Sequence, residues 1–91
     1  MSDAADHLAY IADHLGDIGS LARFVSRIAV MQNGNDLVLE LGGRQLRIRA
    51  ADQALAIGGD EVALGADAAA TLRSIAPMLA VRLTQMDAGS A

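Results

Sequence analysis

Between Asp36 and Ala50 the chain spells out a β-hairpin residue by residue. Leu37, Leu39 and Leu41 alternate with Val38 and Glu40, Gly42-Gly43 supplies a two-residue turn, and Leu46 and Ile48 then alternate with Gln45, Arg47 and Arg49. Counting outward from the turn sets Leu39 against Leu46 and Leu37 against Ile48 on one face. The other face then pairs Val38 with Arg47 and Asp36 with Arg49. A slip of one residue would turn every leucine into water and separate the acid from the base, so both faces specify the same register. The leucine face needs a cover, and the flanking segments must provide it.

Upstream, Ser2 and Asp3 offer an N-cap, and Ala4, Leu8, Ile11, Leu15 and Ile18 recur at spacings of four and three, the period of a helix. The series can be extended through Ala22, Val25 and Ala29, but Gly16 and Gly19 each cost about 1 kcal/mol inside a helix. We therefore expect a break between residues 16 and 20, with Gly16 as the C-terminal cap and Asp17 or Ser20 capping a second helix. Residues 20–32 suit a helix through Leu21, Phe24, Val25 and Ile28 and a strand through their β-branched run, and we read them as a helix turning into a short strand that ends at Asn33-Gly34. Downstream, Ala54 to Ile57, a turn at Gly58-Gly59-Asp60 and Glu61 to Leu64 form a second, shorter hairpin. A last helix, capped by Asp67, buries Leu72, Ile75, Ala76, Leu79, Leu83 and Met86 and turns Arg73 and Arg82 outward. Pro77 kinks that helix or starts another, and residues 88–91 fray.

The fold class that follows is α+β: an N-terminal helix broken near Gly16–Gly19, an antiparallel β-meander of two hairpins, and a C-terminal helix kinked at Pro77. At 91 residues it is a single domain over 1–91 with a marginal core. The seam of Leu8, Ile11, Leu15 and Ile18 is wider than one thin meander needs, so we expect it to be the interface of a homodimer.

Composition removes whole classes of chemistry. With no Cys there is no thiol nucleophile, disulfide or Cys-ligated metal site, and a cytoplasmic setting fits best. All seven basic residues are Arg, which excludes Schiff-base and P-loop lysines. Tyr10 and Phe24 are the only aromatic residues, too few for a surface that stacks several bases. The longest apolar stretch, Ile75 to Val81, contains Pro77 and falls far short of the roughly 20 residues that span a bilayer. We expect neither membrane nor direct nucleic-acid binding.

Net charge is −4, and its sign is segregated. Residues 1–18 hold Asp3, Asp6, Asp13 and Asp17 without an Arg. Residues 19–49 are net basic through Arg23, Arg27, Arg44, Arg47 and Arg49, and residues 50–91 are acidic again. Arg44, Arg47 and Arg49, with Arg23 and Arg27 near them, are candidates for a polar partner surface that faces phosphate or acidic groups. As an ordinary outward strand face they would instead pair with Asp36, Glu40 or the acidic helices.

Asp3, His7, Tyr10, His14 and Asp17 form a polar stripe beside the apolar seam. Asp3 with His7, or His14 with Asp17, offers two ligands to zinc or nickel, yet the histidines stand about 10 Å apart along a helix and cannot share an ion without another segment. We expect no metal, no cofactor, and a solvated flank whose histidines pair weakly with nearby Asp. Gly58-Gly59-Asp60-Glu61 resembles the first four letters of the diguanylate cyclase signature. The resemblance stops there, because Val62 replaces the aromatic residue, the chain has about half that domain's length and no acidic metal motif precedes it.

With two histidines seven residues apart and no GxSxG-like turn, no catalytic triad can be assembled, and we expect no catalytic site. The expected function is that of a small interaction module that binds itself and another protein. The alternative is an acidic inhibitor, of the kind phages and mobile elements encode, that occupies the nucleic-acid-binding surface of a target.

Overall fold

A computed structural model describes residues 4–89. The chain runs through helix α1 (Ala4–His14), a 3-10 turn (Leu15–Asp17) and helix α2 (Gly19–Val25). Strands β1 (Ala29–Asn33), β2 (Asp36–Leu41), β3 (Arg44–Ala51), β4 (Ala54–Ile57) and β5 (Asp60–Ala63) follow, and helix α3 (Ala68–Gly89) closes the fold. The strands form one antiparallel meander in the order β1-β2-β3-β4-β5. The α+β class is as the hydrophobic pattern requires, with β1 extending the two hairpins to five strands.

The β2–β3 register is the one the leucine pattern dictates: Leu39 faces Leu46, Leu37 faces Ile48, Val38 faces Arg47 and Asp36 faces Arg49. Strand alternation then sends Leu37, Leu39, Leu41, Leu46, Ile48, Leu55 and Ile57 to one buried face. α1 and α3 pack on that face and on each other, contributing Leu8, Ile11, Leu72, Ile75, Leu79 and Leu83, while α2 adds Leu21 and Phe24. Each such side chain withdrawn from water contributes about 1.5–3 kcal/mol before the cost of ordering it.

The seam expected to bury against a second copy is buried within one chain. Leu8 and Ile11 are fully enclosed, Leu15 is 3% exposed, and Ile18 is half-buried against the same core. These side chains are therefore not the surface of a dimer. The sheet is five strands wide and needs more cover than the narrower meander read from the sequence.

The helix break falls where Gly16 and Gly19 place it, but by another device. Gly16 is not among the residues with left-handed φ. α1 instead tightens into the 3-10 turn, and Ile18 adopts an extended conformation (φ −101°, ψ 120°) from which its carbonyl accepts the Leu21 and Ala22 amides, both at 2.9 Å. Neither Asp17 nor Ser20 caps α2, which has no side-chain cap.

The second hairpin turns one residue earlier than expected, on Gly58-Gly59 alone, so that Asp60 opens β5 opposite Ile57. Asp67 caps α3 by accepting the Ala70 amide at 2.8 Å. α3 continues through Pro77, which is exposed, so no second helix begins there. It also carries on past Ala88 to Gly89, where fraying was expected; residues 90 and 91, and the cap expected from Ser2 and Asp3, lie outside the described residues. No described helix is long and apolar enough to cross a membrane.

Candidate functional site

β3 is eight residues long and β4 only four. Their ladder ends at Ile48 opposite Ile57, so residues 44–47 of β3 run on beyond the Gly58-Gly59 turn. A cleft of about 540 Å³ opens there, between the β3 overhang, that turn and the C-terminal half of α3. β3 lines it with Arg44, Leu46, Arg47 and Arg49, and α3 with Arg82, Gln85 and Met86. The sequence-derived trio of arginines is thus gathered around one concavity, with a fourth that was expected to face out.

The arginines reach the cleft from two sides of the sheet. By strand alternation Arg44 shares the helix-covered face with Leu46, whereas Arg47 and Arg49 stand on the open face. Arg49 donates from Nε to Asp36 Oδ1 at 3.1 Å, the cross-strand pair expected from the register. Arg82 donates from Nη2 to Asp60 Oδ2 at 2.6 Å, and its Nε is buried with no hydrogen-bond partner among the described residues. Arg47 is exposed, and among the described residues its side chain has no partner. Among the described residues no carboxylate lines the cleft.

Arg82 escaped the sequence reading because helical period alone put it on the outer face of α3. It sits directly before the buried Leu83 and three residues after the buried Leu79, which leaves its stem half-covered and its guanidinium free to fold over the turn. Gly58 permits that approach, since a Cβ at its position would stand 2.8 Å from Arg82 Nη1.

Arg23 and Arg27 lie elsewhere. Arg23 donates to Thr84 Oγ1 at 3.1 Å and Arg27 to both carboxylate oxygens of Asp87, at 3.0 and 3.3 Å. Both guanidinium groups sit over the Phe24 ring, 4.7 and 5.6 Å from its centre, so they fasten α2 to α3.

The histidine stripe is not the solvated flank expected. His7 is 2% exposed, and its Nδ1 lies 2.8 Å from Thr71 Oγ1 on α3. His14 donates from Nδ1 to the Tyr10 carbonyl at 2.9 Å and stacks on the Tyr10 ring with centroids 3.9 Å apart. Among the described residues no three of His, Asp and Glu converge on a point a metal ion could occupy; Asp3 lies outside them.

The second feature of note is the β1 edge of the sheet; the other edge, β5, carries Asp60 and Glu61. All five residues of β1 are exposed, Val30 at 39% and Met31 at 49%, and among the described residues β1 pairs only with β2. Nothing in the sequence marks this edge except what it lacks, since Ala29-Val30-Met31-Gln32-Asn33 contains no charge, proline or glycine. Comparison with protein-family models, with curated proteins and with solved structures finds no match to this chain.

Proposed function

We propose that the chain is a protein-interaction module that works through strand pairing at the β1 edge, and that its first partner is a second copy of itself. The observation that carries this reading is that β1 is exposed along its whole length without the charges, prolines or bulges that ordinarily keep sheet edges apart.

Hairpin geometry makes the edge self-complementary. Asn33 and Asp36 close the β1–β2 turn, so the main-chain groups of Asn33, Met31 and Ala29 point to β2 and those of Val30 and Gln32 point outward. Antiparallel pairing about a two-fold axis at Met31 sets Val30 of one copy against Gln32 of the other. Four main-chain hydrogen bonds then form, the two Met31 side chains meet on the open face, and no charge on the strand opposes the approach. The same edge suits an extended segment of another protein, and a cytoplasmic setting, supported by the lack of Cys, belongs to the same proposal.

Light scattering on the purified chain at high micromolar concentration tests this. We expect a dimer that Val30→Pro converts to monomer with its fold intact, because the amide removed points away from β2. A monomeric parent chain, or a dimer indifferent to Val30→Pro, would defeat the strand-pairing reading. An acidic inhibitor acting through Asp13 and Asp17 would keep its target binding in that variant.

A further inference from the structure

We infer that the cleft between β3, the Gly58-Gly59 turn and α3 is a binding site for a compact aliphatic polyanion carrying two or more phosphate or carboxylate groups. Four guanidinium groups line it and, among the described residues, no carboxylate does, in a chain whose net charge is −4. Asp36 and Asp60 bond two of the four and offset part of that charge, yet the cluster still opposes the sign of the whole molecule. A concave, partly enclosed wall concentrates such a field where a small anion would enter.

The placement of the arginines sets the kind of anion. Arg44 and Arg82 approach from the helix-covered side of β3 and Arg47 and Arg49 from its open side, an arrangement that two linked anionic groups can span. Arg49 and Arg82 each already bond one carboxylate, Asp36 and Asp60, which narrows the conformations left to be ordered around a ligand. Arg47 has no side-chain partner among the described residues and is available to a ligand outright.

The remaining lining sets the ligand's other properties. Leu46, Ala56 and Met86 give small apolar surfaces, and neither of the chain's aromatic rings, Tyr10 or Phe24, borders the cleft. A base or other flat ring would find nothing to stack on, which favours an aliphatic skeleton. The volume is within the range of sites that hold small molecules.

Titration of the purified chain with inorganic pyrophosphate at low ionic strength, followed by amide and arginine Nε–H NMR, tests the site. Inorganic phosphate and citrate form the comparison arms. We expect saturable shifts at Arg47, Arg82 and the Gly58 and Gly59 amides, with pyrophosphate or citrate binding at least tenfold tighter than phosphate. The tighter of the two tells a phosphate from a carboxylate ligand. Arg47→Gln, which removes no hydrogen bond or ion pair among the described residues, should weaken binding at least fivefold, whereas Arg73→Gln, an equal loss of charge outside the cleft, should leave it within twofold. Equal weakening by both variants, shifts spread over all seven arginines, or no saturation by any of the three anions would overturn the assignment.

Discussion

His7 Nδ1 and Thr71 Oγ1 lie 2.8 Å apart across 64 residues of sequence, and both side chains are closed off from water. The threonine hydroxyl also accepts the Gly65 amide at 2.7 Å and stands 3.2 Å from the Asp67 carbonyl. One side chain thereby joins the first turn of α3, the approach from β5 and the buried face of α1. It has a single proton to give: when that proton goes to Asp67, His7 must donate from Nδ1.

This network separates the two histidines energetically. Thr71→Val strands the Gly65 amide and the His7 ring nitrogen together and should cost about 2–4 kcal/mol, given roughly 1–3 kcal/mol for each buried group left unsatisfied. His7→Ala should cost a similar amount through the cavity it leaves. His14→Ala loses a partly exposed stack on Tyr10 and a hydrogen bond to the Tyr10 carbonyl, together worth about 1–2 kcal/mol. Urea unfolding of the three variants checks the order, and equally small losses at both histidines would restore the reading of a solvated stripe.

Gln53 is the one non-glycine with left-handed φ among the described residues, at +72°, in the turn between β3 and β4. Such a conformation costs a side-chain-bearing residue about 1–2 kcal/mol. Gln53→Gly removes that strain and keeps the carbonyl that accepts the Leu64 amide, at an entropic cost of about 0.5–1 kcal/mol. The net expectation is a gain of up to about 1.5 kcal/mol, seen as a higher thermal midpoint. Gln53→Ala should show no gain. A lower midpoint for the glycine variant would mean that the Gln53 side chain contributes something its exposure does not reveal.

Phe24 is buried, and the guanidinium groups of Arg23 and Arg27 both lie over its ring. Phe24→Leu should keep the fold and cost about 1–2 kcal/mol, part from the volume change and part from the lost ring face. The second part can be isolated with Arg27→Met. That substitution should cost about 0.5–1 kcal/mol less in the Phe24→Leu background than in the parent, because only the parent has a ring beneath the guanidinium. A coupling of zero would assign Arg27 to its Asp87 pair alone.

The parts of this fold that were legible in the sequence are those where two patterns agree. Leucine alternation and charge pairing both fix the β2–β3 register, and helical period and the Asp67 cap both place α3. In α1 the helical period alone misled. The period of α1 placed His7 beside the seam, but a five-stranded sheet and a neighbouring helix cover a wider arc than the leucines mark, and His7 falls inside it. The Leu8, Ile11, Leu15 series looked surplus because β1 was not counted as a paired strand of the sheet to be covered. The arginine cleft was half legible: Arg44, Arg47 and Arg49 are near in sequence, whereas Arg82 joins them only because β4 stops short and α3 crosses the gap, a tertiary fact with no local signal.

Gly58 and Gly34 offer a controlled comparison that tests how firmly Arg82 is held. Both have similar left-handed φ, +56° and +61°, so alanine at either carries the same backbone penalty of about 1–2 kcal/mol. At Gly34 an added Cβ meets nothing within 4 Å, whereas at Gly58 it meets Arg82 Nη1 at 2.8 Å. If Asp60 holds the guanidinium in place, Gly58→Ala should be the more costly by about 0.5–1 kcal/mol, the range of an exposed ion pair that must be loosened. Repeating both substitutions in an Asp60→Ala background should erase the difference, since Arg82 can then swing away without loss. Chemical denaturation of the six proteins measures it. Equal costs in the parent chain would show that Arg82 gives way freely and is not held against the turn.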